Sequence, residues 1–194
     1  MQTLFLAKRP FDLSAGEAWN RYVSWSGVSQ LTEVVSLDNM LCPTVPEELT
    51  SADWNYNVHA DYLTFFFRSL DYLRHRVGGE GRLNILAVLQ NPTDADLASM
   101  SLPDFAFAGF DVVDVRGDIS ALTNCGGFDG VFLNNELSEL GLLTDLGRAL
   151  QVQTSLRQQY PEESHAECDV WAIWRQRLPA AAAVLTPCSP VPIE

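Results

Sequence analysis

At 194 residues, with 47% apolar and 19% charged residues, the chain has the balance of one folded domain with a sizeable core and not that of a disordered polymer. Its formal net charge of −13 sets aside nucleic acid and anionic membrane surfaces, which need a positive field, and makes a basic protein partner the expectation. No apolar run approaches the roughly 20 residues of a membrane helix, the N-terminal apolar run precedes its basic pair in the reverse of secretory order, and four scattered cysteines without a CxxC pair suit reduced thiols in a cytoplasmic protein.

Taken in order, residues 2 to 7 read as a short strand. Ser14 with Glu17 fits a capping box, and Trp19, Tyr22 and Val23 follow at helical spacing, which predicts a helix over about 15 to 25. Leu31 to Leu37 alternates and is β-branched enough for a strand. The stretch from 42 to 59 carries Pro43 and Pro46 among turn formers, and at this length it is the best candidate for a functional loop. From about 60 to 77, Leu63, Phe66, Phe67, Leu70, Leu73 and Val77 recur at three and four residues ahead of Gly78-Gly79, the pattern of an amphipathic helix.

Leu83 to Leu89 is a continuous apolar strand, and Thr93 is placed to cap a short helix. Phe105 to Val115 and Ile119 to Leu122 read as two strands of a hairpin turning at Arg116-Gly117-Asp118. A short helix near 135 to 140 and a longer one from Thr144 to Tyr160 follow, the second stopped by Pro161. Cys168 to Arg175 is apolar on both faces and expected inside the sheet, with Trp171 and Trp174 on opposite sides. Residues 178 to 194, rich in Ala and Pro, read as a loosely held tail.

This order implies a single α+β domain over residues 1 to 177, with a mixed sheet of about five to six strands and helices packed on it. A three-layer α/β fold is the alternative, weakened by the hairpin and by the lack of a glycine-rich phosphate loop after the first strand.

The acidity is regional. From Tyr22 to Phe67 there are six acids and no Arg or Lys, and from Leu83 to Gly147 ten acids stand against Arg116 alone. The first stretch holds Asp53-Trp54-Asn55-Tyr56, which joins aromatics to hydrogen-bonding groups as recognition surfaces do. With Glu33 and Asp38 it forms the candidate binding set, against the ordinary reading that Trp54 and Tyr56 pin the loop to the core and that the acids are solvated.

Cys125 precedes Gly126 and Gly127, whose backbone N–H groups suit an oxyanion, and His59 or His165 would be the base of a cysteine nucleophile. The ordinary reading is a buried structural thiol at a strand end. His165 and Cys168 form one H-x-x-C pair where structural zinc usually uses two, so no metal and no cofactor is expected. Standard catalytic signatures are missing.

The expected function is therefore protein binding through an acidic surface, in the concrete form of an immunity or antidote protein that covers a basic partner. The alternatives are a small hydrolase or transferase built on Cys125, and a structural or regulatory domain without a catalytic site.

Overall fold

The computed structural model describes residues 2–58, 64–116, 119–123, 128 and 130–177. Its main sheet has five strands, β1 (Leu4–Lys8), β4 (Thr44–Val45), β5 (Asn84–Gln90), β6 (Phe105–Asp114) and β7 (Cys168–Gln176), in the order β4-β1-β5-β7-β6. The α+β expectation holds. Each pairing is antiparallel, where a mixed sheet was expected, because the connections between neighbouring strands return the chain in the opposite sense. Two further strands, β2 (Phe11–Asp12) and β3 (Glu33–Val34), pair in a small second sheet.

The continuous apolar runs of β5 and β7 are explained by cover on both faces. Ala87, Leu89, Ala172 and Trp174 face helix α4 (Leu146–Gln159), which presents Ala149, Val152 and Leu156 at three- and four-residue spacing. Leu86, Val88, Trp171 and Ile173 face the other way, onto Val35, Leu37, Phe66 and Leu142. Trp171 and Trp174 thus occupy opposite faces, as their separation predicts.

Helix α1 (Glu17–Ser26) packs Trp19 and Tyr22 against Val34 and Cys42, and it ends on Gly27 in the left-handed conformation. The Ser14–Glu17 capping box does not form. Asp12 takes the Ser14 hydroxyl and N–H instead, closing a 3-10 turn over Leu13–Ala15 ahead of the helix. Thr93 does cap α3 (Asp94–Ser99), reciprocally with Asp96, and Asp145 caps α4 through the Arg148 N–H.

Of the helix expected over 60 to 77, residues 60 to 63 lie outside the described residues, and the described part is helical only over α2 (Leu70–Arg76), capped by Ser69. Phe67 instead exchanges both backbone hydrogen bonds with Phe5 of β1 at 2.8 Å each, and Phe66 accepts from the Val58 N–H. Extended backbone sends Phe65 and Phe67 to the α2 side and Phe66 to the opposite core, stacked on Trp171 with ring centroids 5.0 Å apart. A helix has no way to bury three consecutive rings on one face. Each buried ring contributes roughly 1.5–3 kcal/mol, so tertiary burial outweighs helical spacing here.

The strand expected over Leu31 to Leu37 pairs only at β3. Beyond it the Leu37 N–H and the Ser36 hydroxyl turn to the buried Asp111 carboxylate at 3.0 and 2.7 Å, which takes that backbone off any ladder. The Ser120 hydroxyl and the Val112 N–H complete four donors on Asp111. Lys8, the single lysine, is also buried, and its ammonium donates to the carbonyls of Leu37 and Asp38 and to Asn39 Oδ1.

The β6 hairpin returns through Asp114 N–H to Ile119 and Ala121 N–H to Val112, with residues 117 and 118 outside the described set. The short helix expected near 135 is a 3-10 turn, Asn134–Glu136. Among the described residues, no helix is long and apolar enough to cross a membrane.

Candidate binding site at the open sheet edge

His59, Cys125, Gly126, Gly127 and the tail from 178 to 194 lie outside the described residues. His165, the other candidate base, is buried edge-on to Phe128 at 5.0 Å. Burial pushes its pKa down, with the Asp114 charge pulling the other way. Cys42 and Cys168 are buried thiols whose pKa values burial pushes up to about 12 and about 11, so neither is a nucleophile near neutral pH. Among the described residues, no group of three or more His, Cys, Asp and Glu side chains is arranged to hold a metal ion.

The three acids proposed for binding are interior residues. Glu33 accepts from Asn84 Nδ2 at 2.6 Å and pairs with Arg175 at 2.9 Å. Asp38 accepts from Met40 N, Leu41 N and Thr123 Oγ1 at 2.8, 3.0 and 2.7 Å. Asp53 is 0% exposed and accepts from Thr50 N–H and hydroxyl, Tyr72 hydroxyl and Arg76 Nε. Burial alone would raise the Asp53 pKa, but these donors outweigh it and hold the carboxyl below its usual range.

Within the loop, Tyr56 stacks on Tyr72 at 3.9 Å, Asn55 is exposed, and Trp54 projects outward with 61% exposure. Asp53 therefore anchors the loop, and Trp54 is the more exposed of its two solvent-facing aromatics, Tyr56 being 39% exposed on its stack with Tyr72.

A better-formed site lies at the other end of the sheet. The outer edge of β6 is closed in its second half, where Phe110 exchanges both backbone bonds with Leu143 at 2.7 and 3.1 Å. A bulge between Phe107 and Gly109 precedes that contact. Before the bulge no strand among the described residues pairs with this edge, and Phe107 stands 46% exposed upon it.

On one face of this edge a cavity of about 360 Å³ is lined by Phe107, Phe110 and Trp174, with Asp94 and Asp145 among its polar members. Phe107 meets Phe110 and Trp174 edge-on at 5.1 and 5.3 Å, which fixes the aromatic wall. Neither Asp94 nor Asp145 joins an ion pair among the described residues, and no lining residue is basic. Two carboxylates beside aromatic rings suit a cation, through charge and the negative ring faces together.

The reverse face of the same edge carries a shallower cavity of about 300 Å³ along Ala106, Ala108 and Leu140, with Arg175 and Arg177 at its side. Arg175 is already engaged by Glu33 at 2.9 Å, so this face is mainly apolar.

The loop with Trp54 follows β4, and the acidic cavity borders β6, so the sheet order puts four strand spacings, about 19 Å, between the two edges. The sequence places Asp94 and Asp145 in the second acidic stretch and hints at both as helix-start residues, but nothing in it joins them to Phe107 and Trp174. The chain matches no family model, no curated protein and no solved structure.

Proposed function

We propose that this chain is a protein-binding domain that takes a basic side chain of its partner into the cavity walled by Phe107, Phe110 and Trp174 and rimmed by Asp94 and Asp145. The observation that supports this reading is the coincidence of two carboxylates outside any described ion pair with an aromatic wall whose outer ring, Phe107, is exposed beside the buried Phe110 and Trp174. A cation over such rings gains roughly 0.5–2 kcal/mol beyond its charge pairing. The net charge of −13 adds long-range steering of a basic partner. An antidote that covers a cationic protein is the concrete form of this role.

Calorimetric titration with a hexa-arginine amide tests it. Binding is expected at 20 mM salt and should fade by 500 mM as surface charges are screened. The double variant Asp94→Asn with Asp145→Asn, which keeps a helix-capping side chain at 145, should bind at least five-fold more weakly. Glu162→Gln with Glu163→Gln, exposed acids elsewhere, should bind as the parent does. Equal losses in the two double variants would reduce the effect to bulk charge and overturn the site.

A further inference from the structure

The ladder of β6 and β7 fixes which backbone groups of the open edge face outward. The Arg177 N–H donates to the Asp104 carbonyl at 2.8 Å, and Phe105 stands opposite Gln176. In an antiparallel ladder this puts Phe105 and Phe107 in the non-hydrogen-bonded positions toward β7, so the Phe107 N–H and C=O point away from the sheet. Past the bulge Phe110 faces outward in the same way, and there Leu143 occupies both groups. No described residue does this for Phe107.

The lane beside β6 is thus filled by Leu142 and Leu143 and then vacated. The chain leaves it at Thr144 and turns at Asp145 into α4, so the residue that ends the lane also puts a carboxylate on the cavity beside it. What remains runs from the Phe105 carbonyl, the Phe105 N–H being held by the Leu102 carbonyl at 3.0 Å, to Ala108, a stretch of four residues or about 13 Å.

Resting on the binding function proposed above, we infer that the partner contributes an extended basic segment, which adds to β6 as an antiparallel strand beside Phe105–Ala108. Residues of that segment opposite Phe105 and Phe107 share their face of the sheet and reach the cavity of Asp94 and Asp145, so these are the basic ones. Their neighbours fall on the Ala106, Ala108 and Leu140 face and are apolar. Alternating basic and apolar residues is the pattern that fits both cavities at once, with main-chain bonds supplying affinity and the alternate side chains supplying selection.

The register specifies which amides matter. A residue opposite an outward-facing Phe107 forms a hydrogen-bonded pair with it, so the basic residues donate their own N–H groups to β6, and the apolar residues turn theirs to solvent.

The test uses the full chain and the peptide Ac-Arg-Val-Arg-Val-Arg-Val-amide, with two counterparts of equal charge, one N-methylated at the arginines and the other at the valines. The parent peptide should slow hydrogen exchange of the Phe107 amide at least ten-fold and leave Phe110 unchanged. Methylation at the arginines should weaken binding at least ten-fold, and methylation at the valines no more than two-fold. If all three bind equally and Phe107 exchange does not change, strand addition is wrong while the basic-partner reading stands. If none binds, and hexa-arginine is indifferent to the Asp94 and Asp145 substitutions, that reading fails and the strand falls with it.

Discussion

Gly109 and Leu142 approach so closely that a Cβ on Gly109 would lie 2.7 Å from the Leu142 Cβ and equally near the Leu143 carbonyl oxygen. The glycine also holds a φ of 144°, a conformation that side chains rarely adopt. Its missing side chain is what lets the 142–143 segment close on β6 and sets where the open edge begins.

Gly109→Ala is accordingly expected to destabilise the fold by about 2–4 kcal/mol, combining backbone strain with overpacking. Urea unfolding measures it, and a loss under about 0.5 kcal/mol would mean that the segment shifts without cost.

Asp53→Ala should cost about 3 kcal/mol, because it leaves the Arg76 guanidinium, the Tyr72 hydroxyl and the Thr50 groups without their common acceptor. Asp53→Asn, which keeps one acceptor oxygen, should fall between the two. A cost near zero for Asp53→Ala in denaturant unfolding would contradict the anchoring role.

Stability should depend on pH through two buried groups that act in opposite senses. Burial holds His165 below the ordinary histidine value of about 6.5, so on acidification the unfolded chain takes up its proton first. Its contribution is whole above that value and is lost as pH falls through the folded one. Burial raises Asp111, with the Ser120 and Ser36 hydroxyls and the Leu37 N–H opposing, so its contribution is lost as pH rises from the ordinary carboxylate value through the folded one. On acidification from pH 7.5 to 5, His165→Gln should therefore lose less unfolding free energy than the parent does, and a larger loss would reverse the assignment.

Native protein treated with iodoacetamide at pH 7.5 should carry no label on Cys42 or Cys168, whose buried thiols resist ionisation, and should carry full label on both after denaturation. Peptide mapping reads this out, and native labelling of Cys168 would show that β7 opens at its start.

Sequence pattern located the elements whose burial is uniform. The apolar runs of β5 and β7, the Thr93 cap and the period of α4 each carry their structure locally. It failed where a distant partner decides. Phe66 and Phe67 are spaced for a helix, and only Phe5 and Trp171, remote in the chain, hold them in a bridged, non-helical backbone. The acids misled for a similar reason: Glu33, Asp38 and Asp53 look like solvated charges until Arg175, Thr123 and Tyr72 are placed beside them. The cavity at Phe107 was illegible because its wall and rim come from α3, β6, β7 and the start of α4.

Lys8 has a consequence for handling the molecule. The side chain that acylating reagents, aldehyde cross-linkers and lysine-directed proteases seek is sealed under Leu37 and Asn39, at 1% exposure. Immobilisation or tagging through a lysine will select opened chains, and modification of Lys8 becomes an internal gauge of how often the 37–44 segment lifts from the sheet.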